Sequence, residues 1–306
     1  MGEFILQTSG LTKEYHGVKA LDNVNINIST GRLYGFIGQN GAGKTTMFRI
    51  ITGLSYQTSG DISLFGVSTE KELVAARKRT GSLIETPALY PNMTAYQNLE
   101  IQTISLGIPE KDVINKTLEL VGLSDTGKKQ AKDFSLGMKQ RLAIAVALLN
   151  EPEFLILDEP VNGLDPIGIV EIRELLKRLN FERGITMFIS SHLLSELYQL
   201  ATDYIFIDRG KIVEIMTLDK LNEKCKKHIS VKVNDTAIAA TVLESKLNTR
   251  DYQIMPDGTI KLYAFLDTTE TVSKALSENG LIISKIAVEG DSLENYYISL
   301  IGGSLK

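Results

Sequence analysis

Gly38-Gln39-Asn40-Gly41-Ala42-Gly43-Lys44-Thr45 decides the reading of this chain. It fills every fixed position of the pattern G-x-x-x-x-G-K-[ST]. The short apolar run Leu33–Ile37 precedes it and reads as a buried strand. Met47, Ile50, Ile51 and Leu54 follow at helical spacing, predicting a helix from about Lys44 to Leu54. Between a strand and a helix this composition has a direct chemical use. Gly38, Gly41 and Gly43 let the backbone curl so that its N–H groups, with Asn40 among them, point inward at phosphate oxygens. The helix N-terminus adds partial positive charge. Lys44 can reach the terminal phosphates of a nucleotide, the Thr45 hydroxyl can ligate Mg²⁺, and Thr46 adds a phosphate contact.

A second apolar strand, Phe154-Leu155-Ile156-Leu157, ends in Asp158-Glu159. Beside a phosphate cradle the first acid can hold Mg²⁺, through water, and the second can orient or deprotonate the attacking water. To this point the residues describe a P-loop nucleoside triphosphatase using Mg²⁺.

Further out, Phe4–Thr8 and Val24–Ile28 read as strands separated at Gly10, Gly17 and Asp22-Asn23. The stretch from about 87 to 149 looks mostly helical, with breaks at Gly107-Ile108-Pro109 and Gly122. Asp165-Pro166 marks a helix start, Ile185–Ser190 is another buried strand, and Asp208-Arg209-Gly210 turns a hairpin. Short apolar strands alternating with helices predict an α/β fold with a mostly parallel sheet covered on both faces. A change of character near Thr217–Lys227 divides residues 1–219 from an accessory domain, 220–306. The tail reads strand Ile229–Val233, helix 235–247, strand Tyr252–Met255, strand Thr259–Phe265, helix 270–278, strand Leu281–Val288 and helix Ser292–Ile301. Its order βαββαβ is that of a small ferredoxin-like α+β unit, with Asp257-Gly258 turning the central hairpin.

The chain has 306 residues, 43% hydrophobic and 23% charged, with net charge −4. That balance gives no basic nucleic-acid surface, so no nucleic-acid partner is expected. The single cysteine, Cys225, permits no internal disulfide and fits a reducing cytoplasm. No apolar run approaches the roughly 20 residues that span a bilayer. The opening residues lack the pattern of a signal peptide. A role at a membrane therefore needs a partner chain.

Four more features make residues 3 to 217 resemble the ABC ATPase family. Phe134-Ser135-Leu136-Gly137-Met138-Lys139-Gln140-Arg141-Leu142 resembles its LSGGQ signature. It departs at Leu136, in place of the first Gly, and at Met138-Lys139, in place of Gly-Gln or a similar pair. Val161-Asn162-Gly163-Leu164-Asp165 resembles the D-loop, which contacts the partner protomer. His192, after Ser190-Ser191, resembles the switch histidine. Tyr15 resembles the aromatic that stacks on adenine; a Tyr with a purely structural place is the other reading. Glu85 stands where most of the family carries Gln. A Gln amide donates and accepts, whereas an ionised Glu only accepts and would bind a metal more strongly. Glu85-Thr86-Pro87-Ala88-Leu89-Tyr90-Pro91-Asn92-Met93-Thr94 resembles the subfamily that exports bacitracin and lantibiotics.

The resemblance implies an ABC ATPase fold: a parallel core, an antiparallel β subdomain and a helical subdomain. It implies two copies binding ATP head to tail, with Ser135 and the Gly137 N–H on the γ-phosphate held by the other copy. Glu159, His192 and Glu85 would be catalytic; Thr45, Asp158 and Glu85 would hold Mg²⁺. Ser135 is equally placed to cap its helix. The segment Thr86–Tyr96 would transmit motion to an integral membrane permease, placing the chain peripherally on the cytoplasmic face. Three readings compete: an ABC ATPase outside transport, a monomeric P-loop kinase, and an exporter ATPase for another drug, a lipid or an ion.

Overall fold

Five residues, Leu33–Ile37, form a strand (β3) that is buried throughout, and the rest of the larger unit is arranged about it. The structure is a computed structural model describing residues 4–85, 88–108, 112–289 and 293–300. Thr86, Pro87, Pro109, Ser292 and Ile301, named above, lie outside those residues. The chain divides into two compact units, residues 1–218 and 219–306.

In the first unit β3 pairs in parallel with β7 (Thr186–Ser191) on one side and β8 (Asp203–Asp208) on the other. The full sheet runs β5 (Thr80–Leu83), β6 (Phe154–Leu157), β7, β3, β8, β9 (Lys211–Thr217). All its pairings are parallel except β8–β9, the hairpin at the end. The β6 and β7 runs are buried at every position, which is why they read as unbroken apolar stretches rather than alternating ones. A second, antiparallel sheet has the order β2 (Val18–Ser29), β1 (Phe4–Tyr15), β4 (Ser59–Leu64).

These two strands of the antiparallel sheet are longer than the sequence predicts. Gly10 (φ 60°) and Asn23 (φ 55°) were expected to break them, yet they lie inside the strands, beside shifts of register. Such residues make bulges that bend a pairing without ending it. The hairpin turns at His16-Gly17 instead, where both residues have positive φ.

One core joins the two sheets through α1 (Lys44–Ile51). The rings of Phe36 (β3), Phe48 (α1) and Phe188 (β7) meet at centroid separations of 4.9 to 5.9 Å. That spacing suits tilted and edge-on aromatic contacts. Helix α1 stops at Ile51, short of the predicted Leu54, because Gly53 takes φ 80°.

The predicted helical stretch resolves into α3 (Ala95–Leu106), α4 (Asp112–Leu120) and α5 (Leu136–Leu148). Thr94 starts α3 with a reciprocal capping box to Gln97, and Gly107 ends it at φ 69°. Helix α2 (Glu70–Arg77) precedes β5, and α6 (Pro166–Arg183) and α7 (Leu194–Tyr198) flank β7. Asp165 caps α6 by accepting from the Gly168 N–H at 3.0 Å.

The second unit begins within α8 (Leu218–Cys225). Its elements are β10 (His228–Val233), α9 (Thr236–Ser245), β11 (Tyr252–Ile254), β12 (Ile260–Leu262), α10 (Thr269–Glu278), β13 (Ile283–Glu289) and α11 (Leu293–Leu300). The sheet order is β11-β12-β10-β13, antiparallel throughout, which is the ferredoxin-like arrangement. Ala239, Val242 and Leu243 of α9 and Val272 and Leu276 of α10 pack on Ile229, Val231, Ile260 and Leu262. Strand β12 ends at Leu262, short of the predicted Phe265. Phe265 takes φ 62°, and its carbonyl accepts from the Thr268 N–H, closing a turn.

Candidate active site

The carboxyl ends of β5, β6, β7 and β3 lie side by side, since the parallel registers align Leu83 with Leu157, Leu157 with Ile189, and Ser191 with Ile37. In a parallel α/β sheet that edge is where ligands bind. Each strand delivers its candidate residues there: Glu85 after β5, Asp158 and Glu159 after β6, Ser190 to His192 at the end of β7, and Gly38 after β3.

The loop from Gly38 to Gly43 is shaped by contacts that exclude side chains. A Cβ on Gly38 would stand 2.7 Å from the Ile207 carbonyl oxygen. At Gly43, with φ 113°, it would stand 2.5 Å from the Ala20 carbonyl oxygen. Both distances are below contact, and at Gly43 the positive φ by itself favours glycine. Gly41, also left-handed, meets nothing and serves the turn alone. Gly43 is the N-cap of α1 and offers no side-chain acceptor to the first-turn N–H groups. A helix start left open in this way is suited to an anion. The loop, with Ala20, Glu159 and Asn162, borders a cleft of about 250 Å³.

A continuous chain of polar contacts crosses the site. Lys44, 5% exposed, donates to the Gly38 carbonyl at 2.7 Å and lies 3.2 Å from Glu159 Oε1. The Thr45 hydroxyl donates to Asp158 Oδ2 at 2.7 Å. Glu159 Oε2 lies 2.5 Å from His192 Nδ1. A ring nitrogen facing a carboxylate carries the proton, so Nδ1–H donates and Nε2 is left for another partner. Glu159 itself sits in left-handed backbone, φ 49°.

The remaining candidates take no part in that chain of contacts. Glu85, also left-handed (φ 61°) and half-exposed, is an ion-pair partner of Arg49 on α1. Ser135 caps α5, accepting from the Met138 N–H at 3.2 Å. A Cβ on Gly137 would meet only Ser135 Oγ, at 4.0 Å, and the Leu136 Cδ2 would lie 3.4 Å from a Cβ on Gly163. Tyr15 ends β1, half-exposed, with the Lys13 ammonium 4.8 Å from its ring centre and its hydroxyl 3.4 Å from Ser55 Oγ.

Sequence reading missed Asn162, which borders the cleft, Arg49, and the hydroxyl of Ser190. Asn162 stands beside the positive-φ Gly163 in a segment read only for its partner contacts. The Ser190 side chain is invisible to pattern reading because it looks like one more residue of a buried strand.

Fold and site together define a phosphate-loop ATPase of the cassette type. The ABC transporter family profile matches residues 21–162. The bacitracin transport ATP-binding protein BcrA of Bacillus licheniformis is 46% identical over 299 residues, covering 98% of each chain. The lantibiotic transport ATP-binding protein SrtF of Streptococcus pyogenes is 47% identical over 209 residues, 68% of this chain and 89% of that protein. Among solved structures, the dimeric post-hydrolysis cassette MJ0796 bound to ADP and Pi has TM-score 0.63 and 28% identity, over 70% of this chain and 98% of its own. This chain belongs to the family of ABC transporter ATP-binding proteins. It binds nucleotide, and its reaction is ATP hydrolysis.

Proposed function

We propose that this chain powers export of a peptide antibiotic of the bacitracin or lantibiotic type, serving resistance or self-immunity. The supporting observation is the 46% identity to a bacitracin transport ATP-binding protein over nearly the whole of both chains. The transported molecule passes through a separate integral membrane permease, on whose cytoplasmic face this chain sits. Among the described residues no helix is long and apolar enough to cross a membrane, in keeping with that division of labour. A daunorubicin resistance ATP-binding protein, DrrA3 of Streptomyces coeruleorubidus, is 30% identical over 309 residues, which keeps another drug as the second reading.

In the proposed cycle two copies pair head to tail around ATP. The loop Gly38–Thr46 of one copy cradles the phosphates, and Ser135 and the Gly137 N–H of the other meet the γ-phosphate at the start of α5. Glu159 orients water for in-line attack and His192 fixes the Glu159 carboxylate. Lys44 offsets charge on the transferring phosphoryl group. Thr45 and Asp158 offer hard oxygen donors 2.7 Å apart, a set that fits Mg²⁺. Among the described residues no cluster of three His, Cys, Asp or Glu groups forms a metal cage. Mg²⁺ takes few protein ligands and shares phosphate oxygens, so two suffice. When bound there, the ion would supply charge neutralisation to the phosphates.

Deleting the gene should lower tolerance to bacitracin or a lantibiotic, and an otherwise normal Glu159→Gln chain should not restore it. Unchanged tolerance to every peptide antibiotic tried, with loss of tolerance to an anthracycline, would select the second reading.

A further inference from the structure

The two acids that follow β6 are gripped by a side chain that belongs to neither motif. Ser190 lies in β7 and has no exposed surface. Its Oγ is 2.5 Å from Asp158 Oδ1 and 2.9 Å from the backbone N of Glu159. The sense of both bonds is fixed. A carboxylate only accepts, so the Ser190 proton goes to Asp158; an amide only donates, so the Glu159 N–H is received by Oγ. The hydroxyl is thus committed in both directions inside a water-poor strand layer.

Two consequences follow for the acids. Asp158 Oδ1 is held by the strand, while Oδ2 lies beside the Thr45 hydroxyl. The two oxygens of one carboxylate are therefore inequivalent, and Oδ2 is the one left for a cation. Glu159, in turn, holds a left-handed backbone at φ 49°, a conformation a non-glycine residue keeps only where its surroundings impose it. Its N–H bond to Ser190 is one of the contacts imposing it, and it aims the side chain that meets Lys44 and His192.

We propose that Ser190 is a positioning residue of the hydrolytic centre: one hydroxyl selects which oxygen of Asp158 serves the metal and sets the angle at which Glu159 enters the site. This rests on the roles proposed above for Asp158 and Glu159. A serine serving only to fill the strand layer would be replaceable by alanine, which differs by one oxygen.

The test uses full-length Ser190→Ala and Ser190→Cys, with Glu159→Gln as reference. Binding of a fluorescent ATP analogue is measured in EDTA and again in Mg²⁺, beside steady-state hydrolysis. In EDTA, Ser190→Ala should bind like the parent, because the phosphate loop is untouched. The gain in affinity on adding Mg²⁺ should shrink about 10- to 100-fold, the range found when a group supporting a metal ligand is removed. The turnover number should fall by a similar factor with little change in KM. Ser190→Cys, a weak donor of similar size, should fall between the two. In the Glu159→Gln background the further loss in turnover should be small, since both changes act on one water.

Parental Mg²⁺ response and turnover in Ser190→Ala would overturn the proposal. Equal loss of affinity in EDTA and in Mg²⁺ would also overturn it, by showing a general structural role. Should Ser190→Ala fail to fold, the same two outcomes are read on Ser190→Cys. Full activity in Glu159→Gln alone would instead remove the underlying assignment of the water-activating acid.

Discussion

Glu159 is held by three different groups: the Lys44 ammonium and the His192 ring at its carboxylate, and Ser190 at its backbone. Replacing its carboxylate by an amide keeps the size, leaves one acceptor oxygen for the Lys44 and His192 donors, and removes the proposed base. Glu159→Gln should bind ATP normally and hydrolyse it on the order of 10² to 10⁴ times more slowly, with dimer accumulating in ATP. Phosphate release and sedimentation with ATP measure both effects. Gly43 makes a complementary case. Its missing Cβ would meet the Ala20 carbonyl oxygen at 2.5 Å in a backbone of φ 113°. Gly43→Ala should therefore destabilise the chain by roughly 1–3 kcal/mol in urea unfolding and abolish nucleotide binding. At this scale the sequence was legible wherever chemistry needs several residues at a fixed spacing. Lys44, Thr45, Asp158, Glu159 and His192 were all named from spacing or resemblance. Ser190 escaped because one hydroxyl in a run of buried residues has no pattern, and only the alignment of β6 with β7 gives it a partner.

Among the elements, α5 and α1 each carry a residue with a place in both stability and proposed chemistry. Ser135 is the N-cap of α5, so removing its oxygen should cost about 0.5–2 kcal/mol of stability. The two roles separate by substitution. Ser135→Asp should keep the cap and the thermal midpoint yet lose ATP-dependent pairing, because a carboxylate repels a γ-phosphate. Retained pairing in Ser135→Asp would leave the residue as a cap only. On α1, Arg49 lies one turn beyond Thr45 and binds Glu85. That pair ties the helix carrying the phosphate loop to the segment that follows β5. It also neutralises the carboxylate that replaces the family's usual amide. Arg49→Ala should thus alter the Mg²⁺ dependence of hydrolysis in the parent and have a smaller effect in Glu85→Gln. Equal effects in both backgrounds would separate the two residues. Element boundaries were less legible than element types. Gly10, Asn23 and Phe265 show why: a positive φ bends a strand at the first two and ends one at the third. Which happens depends on whether a neighbouring strand continues the pairing. The stretch from β4 to β5 was not read at all, since Ser59–Leu64 is a half-exposed strand without a strong period.

Across the whole molecule, each unit is built from one continuous piece of chain with its own core. All six strands of the larger sheet and the entire phosphate-binding edge lie before Leu218. A chain ending at residue 218 should fold and keep ATP binding, with an unfolding midpoint close to that of the matching transition in the intact chain. Loss of nucleotide binding in the shortened chain would mean that the tail contributes to the site. The parallel architecture of this unit was legible because strands buried on both faces read as unbroken apolar runs. The ferredoxin-like order of the tail was legible from its alternation and the Asp257-Gly258 turn. The antiparallel sheet was seen only in fragments, because its long bulged strands break the period of two that marks a strand in sequence.

The place of β3 has a further consequence for how work is done. Both of its flanks are hydrogen-bonded and all five of its residues are buried. Amide protons from Leu33 to Ile37 should accordingly be among the last to exchange with deuterium, open only when the unit unfolds as a whole. The phosphate loop hangs from a strand that is buried along its whole length and paired on both sides. When the nucleotide changes charge, displacement should be taken up beyond the edge strand β5, around Glu85 and the helices that follow it. The phosphate loop then acts as the fixed footing against which those outlying parts push.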